Sequence, residues 1–381
     1  MDQNRPLSVS RLRLTVLVYL ASRLLFFAIA VLDAVLQHQG LGAELRNWDG
    51  SWYLALAEHG YPQQVVTAYE HYSTLGFLPG YPLLIWLLGH MTGLSPLAAG
   101  VVLSVSLGLS ATVLVGALAE RWWGPAAARR AILFWCLSPG TIVFLMVYGE
   151  ALGVTLIAAS LLALGRRRWI LAGLCAGAAT AVTPLALALV PAFIYRAHRE
   201  WGRGGSARWR PVVAASLSPG GLIALAIFLW CWCGTPFAAF SVQRGAWGNS
   251  TTPIAIPARL LTTLGQFLGI GNPAHGPGGV DLYSIAALIC TALLIYALWL
   301  LWQQRRELPV EMLIYSGGAA LLMLTSNNAP PDPRMLLNCF PALLVVGART
   351  SGRPRLYLLA ATVLLSLVMS WFTFVGDWMM P

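Results

Sequence analysis

LTVLVYLASRLLFFAIAVLDAVL, from Leu14 to Leu36, carries only two charged residues, Arg23 and Asp33. It exceeds the ~20 apolar residues that a helix needs to cross a bilayer. Backbone groups in lipid must be satisfied within their own segment, so such a run reads as a helix; the weak ten-residue alternation of a barrel is absent. It is too long for the apolar core of a signal peptide and no small-residue cleavage site follows, so it reads as a first span. Similar runs recur almost to the C-terminus. Over 381 residues the chain is 58% hydrophobic and only 10% charged, against about 25% charged in a soluble domain. The expected fold is an all-α polytopic membrane protein, a single transmembrane domain over 1–381 embedded in the lipid bilayer of the cell membrane.

The net charge of +10 comes from 24 basic residues, all of them arginine. No soluble basic domain exists to present that charge to nucleic acid, so nucleic acid is not an expected partner. Arginines cluster at Arg5/Arg11/Arg13, Arg121/Arg129/Arg130, Arg166–Arg168, Arg196–Arg210, Arg305/Arg306 and Arg349/Arg353/Arg355. The positive-inside rule assigns these groups to the cytoplasm. The segments between them hold only Arg46, Arg244, Arg259 and Arg334, with most of the acids. The N-terminus is then cytoplasmic and the first loop outside. Counting 77–91 as a span would put Arg121, Arg129 and Arg130 on the wrong side. Opening with Phe77-Leu78-Pro79-Gly80-Tyr81-Pro82, it reads instead as a juxtamembrane or re-entrant helix of a first outer loop, 38–96. About 11 spans follow, near 14–37, 97–119, 128–147, 150–165, 168–181, 183–196, 211–233, 281–302, 309–326, 335–348 and 355–374. A second outer loop, 234–280, is rich in Gly and Pro and reads mostly as surface structure.

Polar chemistry collects on the expected outer face. In the first loop, Arg46-Asn47-Trp48-Asp49-Gly50-Ser51-Trp52-Tyr53 precedes Glu58, His59, Tyr61, Glu70, His71 and Tyr72. Trp52, Leu56 and His59 share a helical face, which suits a helix lying in the interface. Asp49 sits at its start, where the helix dipole favours a carboxylate; a plain helix cap and an interfacial tryptophan belt fit the same spacing. Tyr148-Gly149-Glu150 places an acid between two apolar runs, facing a cavity or snorkelling to the interface. Gln243-Arg244-Gly245-Ala246-Trp247 lies in the second outer loop. Arg334, after Ser326-Asn327-Asn328-Ala329-Pro330-Pro331-Asp332-Pro333, suits bidentate phosphate binding or a structural pair with Asp332. Arg23 reads as a snorkelling residue or one paired with Asp33. The six cysteines all fall in apolar runs, and Cys231-Trp232-Cys233 lacks the spacing and partners of a zinc site. Asn249-Ser250-Thr251 matches a glycosylation sequon by chance.

Trp48-Asp49-Gly50-Ser51-Trp52-Tyr53 followed by Gly60-Tyr61-Pro62 resembles the first-loop signature of the GPI mannosyltransferase II (PIG-V) family and its bacterial relatives. Phe77-Leu78-Pro79-Gly80-Tyr81-Pro82 is similar to that family's Phe/Pro/Tyr/Pro element. Leu137-Ser138-Pro139 before Tyr148-Gly149-Glu150 looks like its Ser-Pro span ending in an aromatic–small–Glu triplet. Gln243 with Trp247, Arg334 with Phe340-Pro341, and Trp371 also fall in the expected order. The resemblance implies a GT-C fold and transfer of a sugar, typically mannose, from a polyprenyl-phosphate donor to a glycolipid or glycan acceptor on the non-cytoplasmic face. One departure stands out: relatives commonly carry Arg-Pro after the fifth or sixth span, where this chain has Thr183-Pro184. Donor phosphate then falls to another group, Arg334 or Arg244.

Such a transfer needs a base for the acceptor hydroxyl and positive charge for the departing phosphate. Asp49 is the expected base of an inverting displacement, and Glu150 positions the acceptor or replaces Asp49. Arg334, with Arg244 in reserve, holds donor phosphate. Trp48, Trp52, Tyr53, Tyr81, Gln243 and Trp247 are expected around the substrate, with His59, His71 and Tyr72 as lesser candidates for phosphate or sugar hydroxyls. No acidic pair has metal-binding spacing, so no metal or cofactor is expected. A transporter or lipid flippase, and a relative that has lost catalysis, are the competing readings. No inverted repeat and no midplane cluster of polar residues favours transport.

Overall fold

The computed structural model describes residues 9–38, 40–202, 208–270, 281–327 and 329–374. Among them the architecture is all-α, with one isolated bridge between Thr251 and Ser326. The N-terminal third comprises α1 (Val9–Leu36), α2 (Leu41–Leu45), α3 (Asp49–His59), the 3-10 turn η1 (Thr74–Gly76), α4 (Gly80–Thr92) and α5 (Pro96–Cys136). Then come η2 (Pro139–Phe144), α6 (Glu150–Gly165), α7 (Trp169–Thr180), η3 (Pro184–Ala188), α8 (Leu189–Trp201), α9 (Trp209–Leu217) and α10 (Gly220–Cys233). The remainder is α11 (Ala238–Gly245), α12 (Ala255–Phe267), α13 (Leu282–Gln303), α14 (Val310–Leu324), α15 (Met335–Asn338), α16 (Phe340–Arg349) and α17 (Arg353–Phe374).

By length and composition, α1, α5, α13 and α17 are each able to cross a membrane. The α9–α10 pair, bent by 48°, makes a fifth candidate. Their outward faces stay apolar: Leu24 of α1, Ile227 of α10, Ile295 of α13 and Leu364 of α17 are all more than half exposed. Lipid accepts such faces where water would not. The count of about 11 spans rested on apolar runs, and several of these form helices of only 10–17 residues (α6, α7, α14 and α16).

Two departures from the expected spans matter for the site. Gly124 adopts φ 78°, ψ 172° and Pro125 follows, so α5 is two helices joined at a sharp reversal. Ile132 lies where a side chain on Gly116 would sit, and Trp135 Nε1 donates to Thr112 Oγ1 at 3.2 Å; the second segment therefore runs back along the first. The expected span 128–147 is α-helical only to Cys136. Ser138-Pro139 ends the helix, since proline lacks the N–H that a continuing helix needs, and η2 completes the run. The 234–280 loop also differs from a plain surface loop, because it contains α11 and α12; residues 271–280 lie outside the described residues.

Arg23 corrects another expectation. It neither snorkels nor pairs with Asp33. It donates to the Thr141 carbonyl and to Thr141 Oγ1 at 2.9 Å, and lies 4.8 Å from the Phe26 ring centroid. A guanidinium with five donors can fasten α1 to η2 through these oxygens. Both Asp33 carboxylate oxygens are buried without a hydrogen-bond partner among the described residues. α4 is short: its 13 residues make it about 20 Å long, less than a hydrocarbon core.

Candidate active site

The chain segment before α3 is laced to the one before α6. Val147 N–H donates to the Leu45 carbonyl at 2.9 Å, Asp49 N–H to Tyr148 Oη at 3.2 Å, and Tyr148 Oη to the Asn47 carbonyl at 3.4 Å. Between these bonds Trp48 takes φ 58° and ψ −123°, a conformation that side-chain-bearing residues rarely adopt. Such strain persists only where surrounding contacts over-determine it, and it concentrates at functional sites. Here it turns the chain so that Asp49 begins α3.

Arg334 meets Asp49. Its Nη1 lies 2.6 Å from Asp49 Oδ2 and 3.6 Å from Glu150 Oε1, with Nε 4.0 Å from Asp332 Oδ2. Its guanidinium carbon stands 5.3 Å from the Tyr148 ring centroid. One cation therefore faces three carboxylates. Asp332 is the most deeply placed of them. It accepts from Met335 N–H at 2.7 Å and Tyr283 Oη at 3.2 Å, and burial pushes its carboxyl up to about 6 against the pull of Arg334. Glu150 Oε2 is buried without a hydrogen-bond partner among the described residues. Asp49, with 17% of its side chain exposed, is the most accessible of the three.

Arg334 owes its place to Gly140. A Cβ on Gly140 would fall on the Pro333 carbonyl, so only glycine lets the η2 backbone and the Pro333–Arg334 peptide touch. Arg23, holding Thr141, anchors the other side of that turn. Gly140 directly follows the Leu137-Ser138-Pro139 element, with no feature of its own in the sequence to mark it.

An aromatic wall extends from the ion cluster. Tyr53 packs edge-on against Tyr148 (6.3 Å between centroids), Tyr81 (5.4 Å) and Phe77 (5.3 Å). Trp52 and Tyr72 continue it to Trp247 at 5.3 and 4.6 Å. Gln243 Nε2 donates to the Gly76 carbonyl at 2.9 Å and Trp247 Nε1 to the Ser73 carbonyl at 3.3 Å, so α11 docks on the first loop. Trp52, Tyr53, Tyr72, Gln243 and Trp247 are thus brought together as a group.

Other expected site residues stand apart. Tyr81 is 1% exposed and donates to the Gly100 carbonyl at 2.8 Å, tying α4 to α5. His59 is exposed at the end of α3 beside Glu58, and His71 is exposed in the loop after it. Arg244 is exposed on α11 and makes no ion pair among the described residues, so the phosphate role offered to it as reserve has no support from the cluster. Trp48 packs against the core, and its buried indole N–H has no partner among the described residues. Thr183 and Asn338 both lie where a side chain on Gly153 would sit, one turn along α6 from Glu150. Tyr148, which bonds the backbone on both sides of Trp48 and underlies Arg334, was not distinguished from its triplet in the sequence.

The chain is similar in sequence to GPI alpha-1,6-mannosyltransferase 2. The human GPI alpha-1,6-mannosyltransferase 2 is 32% identical over 124 residues, 30% of this chain and 24% of that protein. The rat GPI alpha-1,6-mannosyltransferase 2 is 34% identical over 118 residues, 28% of this chain and 22% of the relative. The chain therefore spans less than a quarter of the length of these relatives. No family model matches the chain. Two solved structures align more widely at lower identity. The oligosaccharyltransferase of Archaeoglobus fulgidus, in its apo form, gives a TM-score of 0.46 at 15% identity, covering 92% of this chain and 56% of that one. ArnT from Cupriavidus metallidurans gives 0.49 at 15% identity, covering 89% and 62%.

Proposed function

We propose that this chain is a membrane glycosyltransferase of GT-C type that moves a sugar, mannose first among candidates, from a polyprenyl-phosphate donor to a glycolipid or glycan acceptor. The observation that carries the reading is the meeting of Asp49, Glu150 and Arg334 from three distant segments beside an aromatic wall. The sequence similarity to a mannosyltransferase supports it. With the arginine clusters on the cytoplasmic side, the site faces outward.

In this mechanism the acceptor hydroxyl loses its proton to an Asp49 carboxylate oxygen as its own oxygen bonds to the anomeric carbon. The bond from that carbon to the phosphate oxygen breaks in line, with inversion, and the phosphate leaves as an anion. Arg334 stabilises the charge developing there. Its pairing with Asp49 has a mechanistic use: an arriving donor phosphate competes for the guanidinium and frees Asp49 to accept a proton. Glu150 holds the other side of Arg334 and orients it. Trp52 and Trp247 offer flat apolar faces for a sugar ring.

The test uses purified, reconstituted protein and labelled polyprenyl-phosphate mannose, with a membrane lipid extract as acceptor. Transfer by wild type that vanishes in Asp49→Asn supports both the reaction and the base. If mannose, glucose and arabinose donors all give no transfer with wild type, the reading fails.

A further inference from the structure

α6 links two polar clusters. Glu150 opens it at the candidate active site, and Gly165 closes it after 16 residues, about 24 Å away at 1.5 Å per residue. At the Gly165 end a cavity of about 250 Å³ lies between α5, α6, α8 and α14. Arg121, Arg167 and Arg196 line it, with Glu311, Trp122 and Met312. Arg196 Nη1 pairs with Glu311 Oε1 at 2.6 Å and its Nη2 with Glu200 Oε1 at 3.3 Å. Arg167 reaches the same Glu200 oxygen at 3.5 Å, and Arg121 Nη2 donates to the Gly165 carbonyl at 2.8 Å.

Three guanidiniums thus line the cavity, with Glu311 in its lining and Glu200 beside it, and Arg166 and Arg168 flank Arg167 in sequence. Arg196 Nε is buried without a hydrogen-bond partner among the described residues. Water occupies about 30 Å³ per molecule, so the space holds several waters or one tetrahedral anion with a small substituent. Guanidinium forks match phosphate oxygens in pairs. Trp122 and Met312 add apolar surface to the lining that a bare ion does not require.

We propose that this cavity binds a phosphate-bearing anion, at a site separate from the candidate active site and independent of the transferase reading. A phospholipid headgroup and free phosphate share the recognised chemistry. The bound anion bridges Arg121, Arg167 and Arg196 and ties α5, the α6–α7 turn and α8 together. Glu311 competes with it for Arg196.

The experiment follows thermal unfolding of the full chain in detergent while titrating phosphatidylglycerol, inorganic phosphate or, as a zwitterionic control, phosphatidylcholine. Phosphatidylglycerol is expected to stabilise at lower concentration than phosphatidylcholine, with the difference shrinking in salt. Arg167→Gln, at an exposed side chain, should weaken the apparent affinity by about threefold or more, as loss of one charge-assisted contact predicts. Glu311→Gln should strengthen it, which a general folding defect would not do. Stabilisation by phosphatidylglycerol alone identifies the lipid headgroup; stabilisation by inorganic phosphate as well identifies a small-anion site. No stabilisation by either beyond the control, or both variants shifting affinity in one direction, overturns the proposal.

Discussion

Arg334 and Asp49 stand 285 positions apart in the chain, and their side chains meet at 2.6 Å. The contact joins the start of α3 to the loop before α15, and Glu150 approaches the same guanidinium nitrogen from α6. The proposed chemistry depends on that convergence.

Asp49→Asn and Glu150→Gln should separate the two carboxylates. Loss of a general base typically lowers turnover by about 10²–10⁴-fold. Asp49→Asn is expected to fall in that range with no rise in donor KM, since Asp49 then no longer competes for Arg334. Glu150→Gln should retain measurable turnover, because Asp49 remains. Steady-state rates in reconstituted vesicles decide the matter, and an unimpaired Asp49→Asn enzyme would remove Asp49 from the role of base.

Replacing Arg334 by Ala leaves Asp49, Glu150 and Asp332 together without their shared cation. Breaking a buried pair in this way costs about 3–5 kcal/mol, so Arg334→Ala should unfold at clearly lower temperature than wild type. Arg334→Lys keeps the charge but not the planar fork. It is expected to recover much of the stability and little of the activity. Equal recovery of both would argue against a phosphate-binding fork.

Gly140→Ala should act on Arg334 without touching it. The added methyl meets the Pro333 carbonyl, and forcing an extra carbon into packed structure costs about 1–3 kcal/mol. Turnover should fall along with thermal stability. Gly317→Ala in α14 is the matched control, since its Cβ would meet nothing within 4 Å. That change should be neutral or stabilising by up to about 1 kcal/mol.

The buried Asp332 carboxyl supplies a pH signature. Its folded-state value of about 6 stands above the ordinary 3.8, so between those values the folded state holds a proton that the unfolded state lacks. Stability from this group therefore grows as pH falls through about 6 and is complete once the pH is below the unfolded value. Asp332→Asn should flatten that part of the profile. Wild type and variant with parallel stability profiles from pH 7 to pH 4 would refute it.

Transfer should survive treatment with a chelator, since the proposed mechanism assigns charge stabilisation to Arg334. Activity lost on chelation and regained with added divalent cation would require a different account of the departing phosphate.

The membrane class was legible from Leu14–Leu36 and its counterparts, because apolar length is a local property that lipid imposes directly. Asp49, Glu150 and Arg334 could be singled out one by one, as charges in places where charge is costly. Trp48-Asp49-Gly50 could not reveal its strained backbone, since that conformation is held by Tyr148, a hundred residues away. Nor could Gly140 declare itself: a glycine's need is set by what approaches it, here Pro333. Nor does residue type say which way a side chain faces: Tyr81 is buried and Arg244 exposed. A helical membrane chain, its charge asymmetry and its stock of reactive side chains follow from residue order alone. That Arg334 pairs with Asp49 more closely than with neighbouring Asp332 depends on packing between segments remote along the chain, and emerges only in the folded molecule.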